Sequence, residues 1–536
     1  MSDALLYELS SSQGALPEPF IKRDIAWVGD SMNGSYQSTS LTLDLSAVAN
    51  AGKWQSWSEA VLQIPLVLTV RAPTAGAMAN LTANVGPQNL VALKSNFAHL
   101  IHSVTAKINN TEVISACDFQ SVPMTFRMLT QFGQDDLVKL GPSIGFSKDG
   151  TSFNYDNATT TITNNDPATN EGLAKRVSET TGLVYPSDAT DGSADILTDA
   201  TYSSTVGQPG WAPHVAGQTY QVGYVIAEIR LADLHPLFRE LPLTKGGYLW
   251  MNLVVNQTQI DFSIATKVID PTTIVVNTPS NGVCPLMLLD YVTPSGSVDN
   301  GVYSVSVGIV QCFDTVARGL GCPSHPAFNQ VRCYLPLYIM DASKVQAYEA
   351  LGAEREVSYS DFSRPGVPSQ SAGSSFNLIL SSGINRLKSV LVAPYFTNGL
   401  GTTVAYQSPL TTEPSTCSPL ARISNYNVAL SGTNVYQEDE NYSFEFFQNE
   451  IVGLGVNGQL TPGMTSGVVS KADWERMYGF LYTDCSRRLG PAYESATSVT
   501  IKGTVKTKVA LTPLTFLEYE RRIVMDVFSG QIKSRM

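Results

Sequence analysis

Charge is scarce in this sequence. Only 15 % of its 536 residues are Asp, Glu, Lys or Arg, against about 25 % in an average soluble domain. The scarcity is not compensated by apolar excess, since hydrophobic residues make up 43 %. The remaining polarity comes from uncharged Ser, Thr, Asn and Gln, and the composition excludes a disordered, self-repelling acidic chain. Runs of like positive charge are also missing, and the net charge is −12. Dedicated nucleic-acid binding by phosphate neutralisation is therefore disfavoured. No stretch of about 18 uninterrupted apolar residues occurs, which argues against a transmembrane helix. The start, MSDALLYELSSSQG, lacks a basic segment followed by an apolar one, so no secretory leader is expected.

Cysteine is equally sparse: seven residues, an odd number, form no disulfide framework. They are expected to be small buried apolar groups in a protein made in a reducing compartment and not secreted. Five sequons, at Asn80, Asn109, Asn157, Asn256 and Asn441, carry little weight in a chain so rich in Asn, Ser and Thr.

What is present is period-two alternation. Tyr303, Val305, Val307 and Ile309 alternate with small or polar residues, as do Tyr220, Val222, Tyr224 and Ile226, and Tyr442, Phe444 and Phe446. Val499, Ile501, Val505 and Val509 likewise share one face opposite Thr500, Lys502, Thr504, Lys506 and Lys508. Successive side chains of a strand point to opposite sides, so such runs suit strands with one face buried. Clusters of Gly, Asn, Pro and Ser between the runs favour antiparallel sandwiches over strand–helix–strand units.

Helical patterns are few. One is expected over Asp118–Leu129 with Asp118 as N-cap, one over Asp341–Leu351 stopped by Gly352, and one after Ser470-Lys471-Ala472-Asp473, which has the form of a capping box. Two polar stretches, 146–216 and 397–440, read as long surface excursions. A divide in TPSGSVDNG, Thr293–Gly301, leaves strand-rich halves of similar size, each that of a large domain.

Candidate chemistry fails on context. Gly453-Leu-Gly455-Val-Asn-Gly458 has the dinucleotide spacing, but the Gln-Leu-Thr-Pro-Gly that follows cannot open the helix that binds a pyrophosphate. Gly141-Pro-Ser143-Ile-Gly145 matches the nucleophile elbow but leads into a turn, and His214, His235 and His325 downstream lack a base context. Cys312, Cys322, His325 and Cys333 have ligand types suited to zinc, yet only Cys322 and His325 are close in sequence. A bound metal and ordinary buried thiols both remain open for that set. Asp188, Asp191, Asp195 and Asp199 miss the spacing of a calcium loop. Asp135-Asp136, Glu438-Asp439-Glu440 and Glu518/Glu520 are the tightest carboxylate groups. His102, in phase with Val104, Ala106 and Ile108, reads as a core histidine. No catalytic, cofactor-binding or metal site is assigned. Lys502, Lys506, Lys508, Arg521, Arg522, Lys533 and Arg535 make the end of the chain locally positive. That end is either the solvated face of late strands or a surface for a polyanion or acidic neighbour.

Three stretches of the first half resemble double jelly-roll major capsid proteins of the polinton-like virus and virophage type, the adenovirus-type capsid lineage. They are Asn33-Gly-Ser-Tyr36 with LTLDLS and, after Trp54 and Trp57, EAVLQIPLVLTV; VALKSNFAHLIHSVTAKINNTEV at 91–113 with MTFRMLTQF and DDLVKLGPSIGF; and IRLADLHPLFRELPLTKGGYLWMNLVVN at 229–256. In the second half GFLYTDCSRR (479–488) and LEYERRIVMDVFSGQI (517–532) resemble late strands of the same proteins. The resemblance implies a mainly-β fold of two tandem antiparallel eight-stranded jelly rolls with short inserted helices and long surface loops. Residues 1–30 would form an N-terminal arm, 31–295 the first jelly roll and 296–536 the second, ending in a basic C-terminal tail. It further implies a non-enzymatic structural protein of the virion. The chain would associate with itself as pseudo-hexagonal homotrimers in an icosahedral shell, beside penton and minor capsid proteins. Any genome contact would be weak and through the C-terminal region. A carbohydrate-binding β-sandwich or, less readily, a β-sandwich glycosidase would share the composition.

Overall fold

The computed structural model describes residues 20–31, 40–49, 51–84, 86, 89–156, 161–181, 216–265, 268–277, 282–290, 298–309, 330–397, 404–454, 467–487 and 491–535. Its architecture is two β-sandwiches in tandem. The first is built around the Val61–Arg71 strand, whose residues 62, 64, 66, 68 and 70 enter the core. This strand pairs along its whole length with Tyr220–Arg230. Its other side is shared by Gly301–Ile309 and Arg332–Met340. Thr258–Ala265 and Val268–Asn277 extend the sheet beyond Gly301–Ile309, and Phe20–Gly29 extends it beyond Arg332–Met340. The opposing sheet runs Ser40–Asp44, Leu249–Val255, Ile101–Ile108, Thr111–Ile114. Strict alternation of buried and half-buried residues along Leu249–Val255 is the pattern expected when one face is packed.

The second sandwich faces Glu354–Ser363, Leu511–Asp526, Leu387–Phe396 and Leu481–Asp484 against Ser375–Ile384, Thr497–Val505, Ile423–Leu430 and Thr433–Asn434. Leu511–Asp526 is 16 residues long and serves two partners: its first half pairs with Leu387–Phe396, its second with Glu354–Ser363.

Several expectations need correction. The divide does not fall at 295/296. Gly301–Ile309 and Arg332–Met340 are hydrogen-bonded into the first sheet, so pairing carries the first sandwich to Met340. Residues 20–29 of the supposed arm are a strand of that sheet, held by Arg332–Met340, and residues 1–19 lie outside the described part. The Tyr442-Phe444-Phe446 run is not a strand. Ser443 accepts a hydrogen bond from Phe446 N and opens the helix Phe444–Glu450, which buries Phe444 and Phe447 at helical spacing. Asp118 caps no helix: the helix is Ser121–Gln131, its N-cap position is Gln120, and Asp118 faces His102 and Arg364 instead. Val509 lies beyond the Thr497–Val505 strand. The other two helices stand, with Asp341 capping Ala342–Ala350 and Ser470 and Asp473 forming the capping box of Lys471–Arg476.

The polar 397–440 stretch is largely not a surface excursion. Every residue from 408 to 419 is buried, threaded between the halves. Of the 146–216 stretch, the helix Glu171–Thr181 buries Leu173 against Ala92, Met287 and Leu289, while 182–215 lie outside the described residues.

Candidate functional site

None of the sequence candidates assembles into a reacting constellation among the described residues. Cys333 sits in the first core, and burial pushes its thiol up to about 12. Cys312, Cys322 and His325 lie outside the described residues, as do Gly455, Gly458, His214 and Asp188 to Asp199. Ser143 lies exposed in the short helix Gly141–Ile144, and Gly145 follows with φ 64°. The carboxylates are engaged structurally. Asp136 accepts from Gly133 N and caps its helix, and Asp439 meets Lys502 at 2.8 Å. Glu518 meets Arg127 at 2.5 Å; burial pushes its carboxyl up, but Arg127, Lys388 and the Ser360 and Ser389 hydroxyls hold it below the ordinary range. Burial likewise opposes ionisation of Glu520, yet bonds from Ser358, Arg522 and Tyr493 bring it down to about 2.

His102 leaves the core face. Opposite it the ladder slips, with Val254 facing Ser103 and Val255 facing Ile101, so His102 is the unpaired residue of a bulge. Ile101 takes the inward place, and His102 turns to Asp118, 3.3 Å away.

The basic end of the chain is likewise neutralised internally. Arg521 is buried on Asp361 at 2.9 Å, Arg522 pairs with Glu520 at 2.6 Å, Lys533 with Glu354, and Arg535 with Glu112 at 3.8 Å. Ile532–Arg535 is a strand on Leu511–Asp526, so the expected tail is part of the sheet.

What the sequence did not disclose is a buried polar junction between the sandwiches. Lys94 is fully buried, and its ammonium donates to the carbonyls of Ser408, at 2.7 Å, and Glu413. Burial lowers the pKa of this amine. Beside it, within the first half, Arg176 donates to Leu93 O at 3.1 Å and Ser147 O at 2.8 Å and meets Asp149 at 2.5 Å; both members of that pair are buried. His99 Nε2 lies 2.9 Å from Ser415 Oγ. Asn164 exchanges two bonds with Thr412, through its amide to Oγ1 and from the backbone N–H to Oδ1. At a second point His235 Nδ1 accepts from Leu237 N at 3.2 Å, which leaves Nε2–H to face Asp361 at 3.3 Å. These bonds explain how a segment as polar as 408–419 is buried: its groups find partners in the first half. Only a side chain's sequence neighbours are legible in the sequence, and these partners stand hundreds of residues away.

Apolar packing crosses the same boundary. Helix Ser121–Gln131 belongs by sequence to the first half but fills the second core. Phe126 stacks on Tyr482 at 5.6 Å and meets Phe480 edge-on at 5.4 Å. In return Val357, Tyr359, Ile523 and Met525 join the first core.

Among the described residues, the first strand presents an apolar stripe to solvent. On Phe20–Gly29, Ala26 and Val28 pack inward, while Ile21, Ile25 and Trp27 are 70, 60 and 50 % exposed. Arg332 lies over the Trp27 ring at 4.3 Å, and Arg23 bonds Glu59 and Tyr338 beside it. The composition of Trp, Arg, Tyr and Ile is that of protein–protein contact centres.

No protein-family model matches the sequence, and no curated protein matches it. Among solved structures, a chain of the Sputnik virophage structure determined by cryo-electron microscopy is similar over 98 % of this chain and 90 % of its own, with a TM-score of 0.54 and 10 % identity. The mavirus major capsid protein matches over 98 % of this chain and 92 % of its own, at TM-score 0.46 and 11 % identity. The Faustovirus major capsid protein matches over 96 % and 94 %, at TM-score 0.43 and 10 % identity. The likeness to the Sputnik chain establishes the fold as a mainly-β double jelly roll running through the described residues.

Proposed function

We propose that this chain is the major capsid protein of a virion, a structural protein whose work is done by its surfaces rather than by an active site. The observation that carries the reading is the full-length correspondence in fold with a virophage structure, two jelly rolls in tandem with 98 % of this chain matched. The welded junction supports it. Jelly rolls that exchange core residues and share buried hydrogen bonds behave as one stiff block, and a tile repeated across a shell needs that stiffness. Low charge supports it too, because repeated copies must cover much of one another's surface.

In this reading the chain forms a pseudo-hexagonal homotrimer that tiles an icosahedral shell, with penton and minor capsid proteins completing it. The exposed Ile21, Ile25 and Trp27 stripe supplies one contact between copies. Genome contact is weak at most, because the cations near the C-terminus are largely spent on internal pairs; Lys506 and Lys508 are the residues left to make it.

The test is assembly. Size-exclusion chromatography with light scattering and negative-stain imaging of the concentrated protein should show trimers and larger arrays. A stable monomer across concentrations and salt overturns the reading. Specific, saturable binding on a glycan array would favour a carbohydrate-binding sandwich instead.

A further inference from the structure

His99 is placed where a proton is disfavoured as long as the junction stays closed. Its ring is fully buried and joins the halves through one bond, Nε2 to Ser415 Oγ at 2.9 Å, with Thr125 Oγ1 3.5 Å away on helix Ser121–Gln131. Nδ1 is buried and has no hydrogen-bond partner. Asn256 holds the backbone behind the ring, donating to His99 O at 2.9 Å. The charged groups around it come from every side: Lys94 on its own segment, Arg176 on helix Glu171–Thr181 with Asp149 beyond it, and Glu413 on the crossing segment. No carboxylate pairs with the ring among the described residues.

An imidazolium there would present two N–H groups, one of them without an acceptor, to two neighbouring cations. Burial, then Lys94 and Arg176, accordingly push the His99 pKa down to about 3. In water the same ring titrates near 6.5. The closed junction therefore excludes a proton that the open one takes up, and acid must favour opening by linkage.

We propose that the junction between the two jelly rolls is an acid-sensitive latch with His99 as its proton-sensing residue, so that mild acid shifts the 91–100 and 408–419 segments towards opening from one another. The proposal concerns the coupling of the two halves and does not depend on the capsid reading. The charged neighbours act on the same equilibrium. Burial raises the Glu413 carboxyl, so its ionisation on opening favours the open form at higher pH and opposes His99. A comparison of variants is therefore needed to isolate the histidine.

The test is amide hydrogen exchange of the intact chain, read at peptides covering 91–100 and 408–419 at pH 7 and pH 5 and corrected for intrinsic exchange rates. Between those values a ring with a pKa near 6.5 when open and about 3 when closed raises the opening constant by about 25-fold. The pH 5 to pH 7 ratio of opening should accordingly be about 25-fold larger in the wild type than in His99→Gln, which keeps Lys94, Arg176, Asp149 and Glu413. Equal ratios in the two proteins would overturn the proposal. Should His99→Gln not fold, exchange at the imidazole C2 of wild-type His99 decides the matter. A ring titrating well below pH 5 sustains the proposal, and one titrating near 6.5 in the folded chain refutes it.

Discussion

At the scale of single residues, the informative positions are buried charges rather than reactive ones. Arg176 spends its guanidinium on two carbonyls and Asp149. Arg176→Ala would leave Asp149 buried and uncompensated, so a loss of about 3–5 kcal/mol is expected in denaturant unfolding. The double variant Arg176→Met with Asp149→Leu should recover much of it, since neither charge is then stranded. The titration of the fold also belongs here. His99, His102 and His235 are all held below the ordinary histidine value, with burial the first cause. Their unfolded forms bind protons first, so each removes stability as pH falls below about 6.5. Asp361 and Glu518 are held low despite burial, by His235 and Arg521 and by Arg127 and Lys388 respectively. Their stabilisation is present above the ordinary carboxylate range and is lost as pH falls through their lowered values. Melting temperature should therefore fall in two stages on acidification, a histidine stage below about pH 6.5 and a carboxylate stage below about pH 4. Glu518→Gln should flatten only the second. A midpoint that stays level from pH 7 to pH 5 in wild type would contradict the histidine assignment.

At the scale of elements, legibility followed locality. Strands with one packed face announced themselves, and Tyr220–Arg230, Gly301–Ile309 and Thr497–Val505 are where the alternation put them. So were the helices opened by Asp341 and Ser470, because a cap is satisfied within three residues. Ser470→Ala should cost about 1 kcal/mol, read as a drop in the chemical midpoint. Three residues in alternation proved too short to separate strand from helix at Tyr442, Phe444 and Phe446, where the Ser443 cap decided the outcome. The bulge at His102 and the burial of 408–419 were illegible for another reason. Both depend on partners distant in sequence, and polarity marks a surface segment only when no such partner exists. Helix Ser121–Gln131 is the element with the largest consequence. Phe126→Ala removes a ring packed on Tyr482, Phe480 and Phe447, and about 3–5 kcal/mol should be lost on unfolding. The damage should register in the second sandwich, as faster amide exchange in Leu481–Asp484, although the substituted residue belongs to the first.

At the scale of the whole molecule, the two jelly rolls are tandem in sequence but not independent in space. The first lends the second an aromatic helix, and the second returns Tyr359, Ile523 and Met525 to the first core. Tyr359 also donates to Val113 O at 2.5 Å, and Asn109 donates to Ser529 O at 3.1 Å, so hydrogen bonds cross as well. Where Gly247 meets Gly530 a Cβ on Gly530 would strike the backbone of Gly247, so the two chain segments pass in close backbone contact. Domains linked only by a modest polar interface can be cut apart and still fold. These halves share their cores, and a cut after Met340 would expose Phe126, Phe119 and Val122 on one side and empty the space they fill on the other. A fragment spanning 341–536 should therefore lack a cooperative thermal transition and bind a hydrophobic dye. Mixing it with 1–340 during refolding should restore a single transition. A 341–536 fragment that melts cooperatively on its own would show that the exchange of core residues is dispensable. The stiffness inferred for a shell-forming tile would then have to come from contacts between copies rather than from within the chain.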